Sequence, residues 1–384
     1  MVSYHHSAFD DRIYWKECLS LKKAGYEVSH VASGVQDRIF VSKEGIALIE
    51  VCKGGKRTVW NKLRSPFYNY ILLQRIYHAA EQQGADVYHL HDWPLALLAS
   101  DLKRLPNKPK VIFDVHDNNQ ADMLARRAFK GFGKKIYFKL LADYIFDKER
   151  KFYAACDAMI FAEEKVRDKF STILKDIPCY CVHNYSYFSP VEPVADRHYE
   201  YDLIYSGTVN LNRGMVELIK AVEIVKRDRP LIKALIIGFA SEELFSFLQR
   251  LILSLGLAEN IEMKRSVPFA EIQDYYLKSR IGVCVLHPTP KFLEAIPIKI
   301  FEYMAFGLPV IISNKGIATK YIVEPNAGLT VEPLSLEDIA SAIHQLLDNP
   351  KEAELLGSNG RNAIRDKYNW SREEKILLKL YKTL

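Results

Sequence analysis

The segment PTPKFLEAIPIKIFEYMAFGLPVIIS, residues 288–313, carries the residue types of an anion-binding site. A β-rich run ends in its polar loop, and the pattern then predicts a helix starting near Pro297, a residue suited to a first helical turn. The free backbone N–H groups of such a start, helped by the helix dipole, can cradle a diphosphate. Lys299 adds a cation in that first turn, where it opposes the dipole. A helix gains nothing from that placement, so a bound anion explains it. Glu302, further along, can accept bonds from paired ribose hydroxyls, and Glu294 in the preceding loop can hydrogen-bond sugar hydroxyls. Gly307 is expected to end the helix with positive φ, and Pro309–Ile312 is the next buried strand.

A second segment points to the same chemistry. In DLIYSGTVNLNRGMVELIKAV, residues 202–222, a strand is expected to end at Gly207, and Arg213-Gly214 precedes a helix. The glycine lets a backbone approach a phosphate without a Cβ in the way, and a guanidinium binds phosphate through two donors. A third loop, Gly316-Ile317-Ala318-Thr319, again lies between strand and helix. In the N-terminal half, DVYHLHDW and VIFDVHDN place His91, Asp92 and His116 at strand ends. Asp11 and Arg12 open a helix, where they either face a cleft or form a capping and salt-bridge pair.

The elements that must position these residues alternate along the chain. Strands are predicted at Tyr26–Ala32, Ile46–Val51, Val87–Leu90, Val111–Val115, Ala158–Phe161 and Pro178–Val182, with helices such as Asp11–Ala24 and Phe67–Gln83 between several of them. A first strand before the polar HHSAFDDR loop is either short or clipped. Residues 186–201, with two prolines and no periodicity, read as a linker. Alternation then restarts with strands at Asp202–Ser206, Lys233–Gly238, Ile261–Met263, Ile281–Leu286, Pro309–Ile312 and Leu329–Val331, and with helices from about Met215 and from Ser241. A helix from Leu336 opens on Ser335 and Asp338 in a capping-box pattern. Strand–helix repetition implies two mainly parallel α/β domains, whose ligands belong at the carboxyl ends of their strands. The domains are set at 1–190 and 201–365, with the linker centred on 191–200 and a terminal helix at 366–384. Neither GxGxxG nor GxxxxGK[ST] occurs, which weighs against a nicotinamide dehydrogenase and a P-loop NTPase.

With Glu294-x7-Glu302 followed by EYMAFGLPV, the chain resembles the retaining GT-B glycosyltransferases of family 4. The resemblance extends to residues 202–222, to the closing DKYNWSREEKILLKLY, and more loosely to the N-terminal half. It implies a GT-B fold, two doubly wound Rossmann-like domains facing a central cleft. It also implies transfer of a sugar from a UDP- or GDP-sugar to an acceptor hydroxyl, with no cofactor and no metal. His116, Arg213, Lys299 and Glu294 take the catalytic places. Gly207, Thr208, Arg213, Glu294, Lys299, Ile300, Glu302 and Gly316 take the donor contacts, and Asp11, Arg12 and His91 the acceptor side. The family has a glycine-arginine pair where this chain has Gly207-Thr208, so Lys299 is expected to replace the missing cation. The terminal helix is expected to cross back onto the N-terminal domain, with Trp370 packing. A sugar-nucleotide epimerase, or a non-catalytic nucleotide-sugar-binding subunit of a polysaccharide assembly, remain as alternatives.

Composition fits a peripheral role. The net charge is +6, and residues 126–151 hold nine Lys/Arg against three Asp/Glu. A second basic stretch, Lys53 to Arg64, has five cations and no acid. Such patches suit an anionic membrane surface as well as a solvated helix face, and lipid-linked or polysaccharide acceptors are the expected partners. No recognised nucleic-acid module is present. The six cysteines show neither a CxxC pair nor zinc-finger spacing. With no signal-peptide pattern and no long apolar run, the expected location is the cytoplasm or the inner face of its membrane.

Overall fold

The computed structural model describes residues 1–52, 65–115, 152–188, 190–191 and 197–384. His116 and both basic stretches, Lys53 to Arg64 and 126–151, lie outside the described residues. The chain forms two units, Met1–Asn184 with Trp370–Leu384, and Tyr185–Asn369.

Unit 1 is built on β1 (Val2–Ser3), β2 (Ser29–Gly34), β3 (Arg38–Val41), β4 (Ala47–Cys52), β5 (Val87–His91), β6 (Lys110–Val115), β7 (Ala158–Phe161) and β8 (Cys179–Cys181). The sheet order is β3-β4-β2-β1-β5-β6-β7-β8, parallel except for β3, which pairs antiparallel with β4. β3 is the one strand here that the sequence reading did not name; it is a four-residue antiparallel edge strand whose Ile39 and Val41 are exposed. Unit 2 is built on β9 (Tyr201–Ser206), β10 (Ala234–Ile237), β11 (Ile261–Lys264), β12 (Ser279–Cys284), β13 (Val310–Ser313) and β14 (Gly328–Val331). All its pairings are parallel, in the order β11-β10-β9-β12-β13-β14. This is the doubly wound order, with the winding direction reversing between β9 and β12.

The segment read as a linker is tied down where it is described. Phe188 stacks on Phe269 and meets Phe306 edge-on, and Tyr185 packs against Phe301 and Tyr368. Arg197 donates to the carbonyl oxygens of Tyr276, Leu277 and Phe306. Apolar rings and a guanidinium with three acceptors hold a chain that composition alone made look loose. The helix Leu336–Asp348 starts as expected at Ser335, whose hydroxyl accepts from the Asp338 N–H. Its capping box is incomplete, since the Asp338 carboxylate accepts from the Glu332 N–H instead of reaching back to Ser335.

The helix Trp370–Thr383 completes the core of unit 1. Trp370, Leu377 and Leu380 pack with Ile112, Ala158, Ile160 and Val182. The Trp370 indole donates to the Ser20 hydroxyl, and the Glu373 carboxylate accepts from the His183 N–H.

Three expected acceptor-side residues go instead to this interior or its edge. Arg12 is 3% exposed and donates to Asp114 Oδ2 at 2.8 and 3.0 Å and to the Val182 carbonyl. It also lies 3.0 Å from Glu17 Oε1. His91, fully buried, has Nε2 3.5 Å from Glu17 Oε2. His89 stacks on the His91 ring and shares a hydrogen bond with the Tyr381 hydroxyl. Asp11 pairs with Lys16, not with Arg12. The N-terminal turn is capped by Asp10, whose Oδ1 accepts from the N–H groups of Arg12 and Ile13. The expected helix Asp11–Ala24 is a π-helical turn, Ile13–Cys18, running into the α-helix Leu19–Lys23. The wider winding accompanies the inward placement of Lys16 and Glu17, both buried.

Glu17, His89, His91 and Asp114 each present a ligand-type atom within 4.8 Å of the others. The guanidinium of Arg12 already serves both carboxylates, so a divalent cation would leave the buried cluster with excess positive charge. One proton on Glu17 brings it to neutrality. Burial, and next the charge of Asp114, push the Glu17 carboxyl well above the usual carboxylate range, against the pull of Arg12. Above the ordinary carboxylate value the folded chain therefore holds a proton that the unfolded chain has released. Stability falls as pH rises through the raised value. Glu17→Gln keeps the neutral shape, so it should flatten the fall in stability, measured by urea denaturation, that wild type shows as pH rises above the ordinary carboxylate value. Parallel curves for variant and wild type would refute the shared-proton account.

Candidate functional site

In unit 2 the reversal between β9 and β12 leaves a crevice beyond the carboxyl ends of these strands, the place where open α/β sheets bind ligands. β9 runs out through Ser206 into Gly207. A Cβ built on Gly207 would lie 3.4 Å from Lys299 Nζ, so the ammonium rests against bare backbone. Lys299 is the second residue of the helix Ile298–Ala305, whose start at Pro297 has no side-chain cap. Its side chain is 6% exposed, and its Nζ has no hydrogen-bond partner among the described residues. The ammonium stands 3.5 Å from the centre of the Tyr205 ring, a cation–π contact. Burial brings its pKa down to about 7, with Arg213 acting in the same direction and Cys284 opposing. A cation buried without an acceptor is costly, and an anion at Gly207 would remove that cost.

Arg213 closes the short turn Leu211–Arg213, and Gly214 leads into the helix Met215–Lys226. Gly214 has φ of 73°, and a Cβ on it would lie 2.1 Å from the Val285 carbonyl oxygen. Only a glycine fits a chain that passes so close to the end of β12 in this conformation. The Arg213 guanidinium lies 5.2 Å from the centre of the Phe292 ring. Its loop is held from two sides. The Tyr205 hydroxyl donates to the Thr208 carbonyl at 2.5 Å, and the His287 N–H donates to the Asn212 carbonyl at 3.0 Å. The Gly316 loop approaches the turn before Glu294, where a Cβ on Gly316 would meet the Phe292 carbonyl oxygen at 3.0 Å. The loops after β9, β12 and β13 are thus brought together, with Gly207, Arg213, Lys299 and Gly316 among them.

Glu302 lies three residues beyond Lys299 in the same helix and is half-buried. Its Oε2 accepts from the Tyr276 hydroxyl at 2.6 Å. Glu294 is exposed, at the end of the one-turn helix Pro290–Leu293, and Thr208 is exposed in the Gly207 loop. Ile300 departs from its expected role. Its side chain is fully buried in the core and its N–H donates to the Pro297 carbonyl at 3.2 Å, so neither group is left to contact a ligand. His116 cannot be placed, lying outside the described residues, while Asp11, Arg12 and His91 belong to the unit 1 network. The sequence reading missed Tyr205, Tyr276 and Phe292, which carry no motif and look like core aromatics until the fold sets them against charged groups.

Residues 193–363 match the family model described as Glycosyl transferases group 1, and residues 16–184 match that described as Glycosyltransferase Family 4. The chain belongs to the GT-B glycosyltransferases of group 1, family 4 type. Among curated relatives of this family it is 26% identical, over 160 residues, to a GDP-mannose-dependent alpha-(1-6)-phosphatidylinositol monomannoside mannosyltransferase from Mycolicibacterium smegmatis. That match covers 41% of each chain, and the chain spans less than half the length of the first curated relatives it matches. Its fold is similar to that of sucrose-phosphate synthase from Thermosynechococcus elongatus, with a TM-score of 0.74 at 17% identity, covering 100% of this chain and 98% of the other. It is also similar to Anabaena HepE, solved with UDP and glucose, with a TM-score of 0.68 at 11% identity, covering 100% and 99%.

The loop bearing Arg213 rests on the close approach at Gly214. Gly214→Ala should cost about 1–3 kcal/mol of stability from the backbone strain and the clash with Val285. A urea midpoint equal to that of wild type would show that the loop can relax.

Proposed function

We propose that this chain transfers a sugar from a nucleoside diphosphate sugar to an acceptor hydroxyl, with retention of anomeric configuration. The observation that carries the proposal is the buried ammonium of Lys299, without a hydrogen-bond partner among the described residues, against Gly207 at the switch point of unit 2. A diphosphate at that position gives Lys299 its missing acceptor. Arg213 adds a second cation from the opposite loop, and the uncapped helix start at Pro297 adds backbone dipole. These groups stabilise the charge that develops on the leaving diphosphate, the role filled elsewhere by a metal ion. Glu302 takes the ribose hydroxyls, and Glu294 the transferred sugar. The acceptor hydroxyl attacks from the face that the diphosphate leaves, and the departing phosphate takes its proton, so no separate protein base is required.

The donor is a UDP- or GDP-sugar. One relative is named as GDP-mannose-dependent, and one fold neighbour was solved with UDP and glucose. The acceptor is lipid-linked or a polysaccharide; the Mycolicibacterium relative, named for phosphatidylinositol monomannoside, favours the lipid-linked class. Such an acceptor calls for docking at a membrane surface from the cytoplasmic side. Among the described residues no helix is long and apolar enough to cross a membrane.

The proton on Lys299 supplies a direct test. Free Lys299, with a pKa of about 7, is mostly neutral at about pH 8. A bound diphosphate favours the charged form, so binding must take up a proton. Calorimetric titration with UDP and GDP in two buffers of different ionisation enthalpy should show uptake of roughly one proton per nucleotide. Lys299→Gln should abolish the uptake. Nucleotide binding with no proton uptake would remove Lys299 from the site.

Turnover tests the remaining roles. Glu302→Ala should raise the donor KM about ten-fold or more, and Arg213→Ala should lower kcat about 100-fold through weaker leaving-group stabilisation. These are read as acceptor-dependent nucleotide release. Wild-type kinetics in both variants would overturn the site, and a new sugar isomer formed from donor alone would mark an epimerase instead.

A further inference from the structure

The carboxylate proposed to hold the ribose does not stand alone. The Tyr276 hydroxyl donates to Glu302 Oε2 at 2.6 Å and lies 2.9 Å from Ser206 Oγ. Ser206 Oγ is in turn 3.3 Å from the Tyr303 hydroxyl, which also accepts from the Ser206 N–H at 2.9 Å. Tyr276 and Ser206 are 1% and 3% exposed, and Tyr303 is fully buried. The chain therefore runs from the last residue of β9, one position before Gly207, through two buried hydroxyls to Glu302.

Packing fixes its middle member. The Tyr276 ring meets Tyr303 edge-on at 5.5 Å and Phe306 at 5.2 Å. Tyr276 sits near the end of the short helix Ile272–Leu277, and the Arg197 guanidinium binds the carbonyl oxygens of Tyr276 and Leu277. Burial, and next the charge of Glu302, push the Tyr276 phenol well above its ordinary range, so it stays a proton donor. A phenol held this way costs little further ordering when it binds a carboxylate. A carboxylate anchored at one oxygen has lost the rotation that would otherwise let it miss two adjacent hydroxyls.

We infer that Tyr276 is a positioning residue: it fixes the orientation in which the Glu302 carboxylate meets the vicinal hydroxyls of the nucleotide ribose, and so sets the preference for ribonucleotide over 2′-deoxynucleotide donors. This rests on the donor-site reading above. Tyr276 touches no ligand and acts through Glu302 alone.

The test is calorimetric binding of UDP, GDP and their 2′-deoxy counterparts to the full chain. Wild type should prefer the ribonucleotide. Tyr276→Phe, which removes only the hydroxyl, should weaken ribonucleotide binding about five- to ten-fold and leave 2′-deoxynucleotide binding within about two-fold. In a Glu302→Ala background, Tyr276→Phe should add nothing further, because the two residues act as one unit. A purely structural role would weaken both nucleotides alike and add to the Glu302→Ala effect. That result, or a ribose preference unchanged in Tyr276→Phe, overturns the inference. Should the Phe variant be unstable, Ser206→Ala cuts the same chain one bond further out, and it should reduce the preference about two- to three-fold. An unchanged preference there overturns the inference equally. If Glu302→Ala keeps the full ribose preference, the donor-site reading falls and takes this inference with it. If Glu302→Ala loses the preference and Tyr276→Phe keeps it, only the positioning role falls.

Discussion

A single buried charge organises unit 2. Lys299 carries its ammonium into a place with a ring face on one side and bare backbone on the other, and with no acceptor within bonding distance among the described residues. Proteins seldom leave such a group uncompensated, and a pKa held near neutrality is what the interior imposes in the absence of an anion. The surrounding features become intelligible from that constraint. Gly207, whose φ of 108° favours glycine, leaves bare backbone beside the ammonium, and the Tyr205 ring face is a partial stand-in for negative charge. Thr208 is exposed in the Gly207 loop, and the cation beside that loop comes from the helix side.

Unit 1 treats its buried charges in the opposite way. Arg12, Glu17 and Asp114, with two imidazoles beside them, form a group in which the cation already has its carboxylates. The two arrangements use similar residue types and are equally hidden from solvent. What separates them is the counter-charge: the unit 1 cation has carboxylates beside it, even though both oxygens of Glu17 lack a hydrogen-bond partner among the described residues, whereas Lys299 has only a ring face and backbone. Burial of an ionisable residue is thus a weak guide to function until its partners are counted.

That difference explains how much of the molecule was legible in the sequence. The parallel strands of both sheets could be read, because strands buried on both faces show as apolar runs, as at Ala158–Phe161 and Val310–Ser313, whereas the antiparallel edge strand β3 was not. The helix bearing Lys299 and Glu302 was legible because an opposed dipole and an acid at fixed spacing leave a mark in one short segment. His91 and Arg12 misled for a definite reason. Strand ends and helix starts are where ligands bind, but they are also where a crossing helix can roof the sheet; that helix was expected, but its sequence does not show which residues it seals off. The aromatic supports, Tyr205 and Tyr276, were invisible because a ring in the core and a ring that holds a charge are written with the same letter.

The roof over unit 1 has a consequence for how the protein is made. Unit 2 is continuous in sequence, from Tyr185 to Asn369, whereas unit 1 lacks the Trp370–Thr383 helix until the rest of the chain has been synthesised. A nascent chain emerging from the ribosome must carry the first sheet with Ile112, Ile160 and Val182 uncovered throughout translation of unit 2. The early-made half is then the last to reach its native state, and for that interval it is the part in need of chaperone protection.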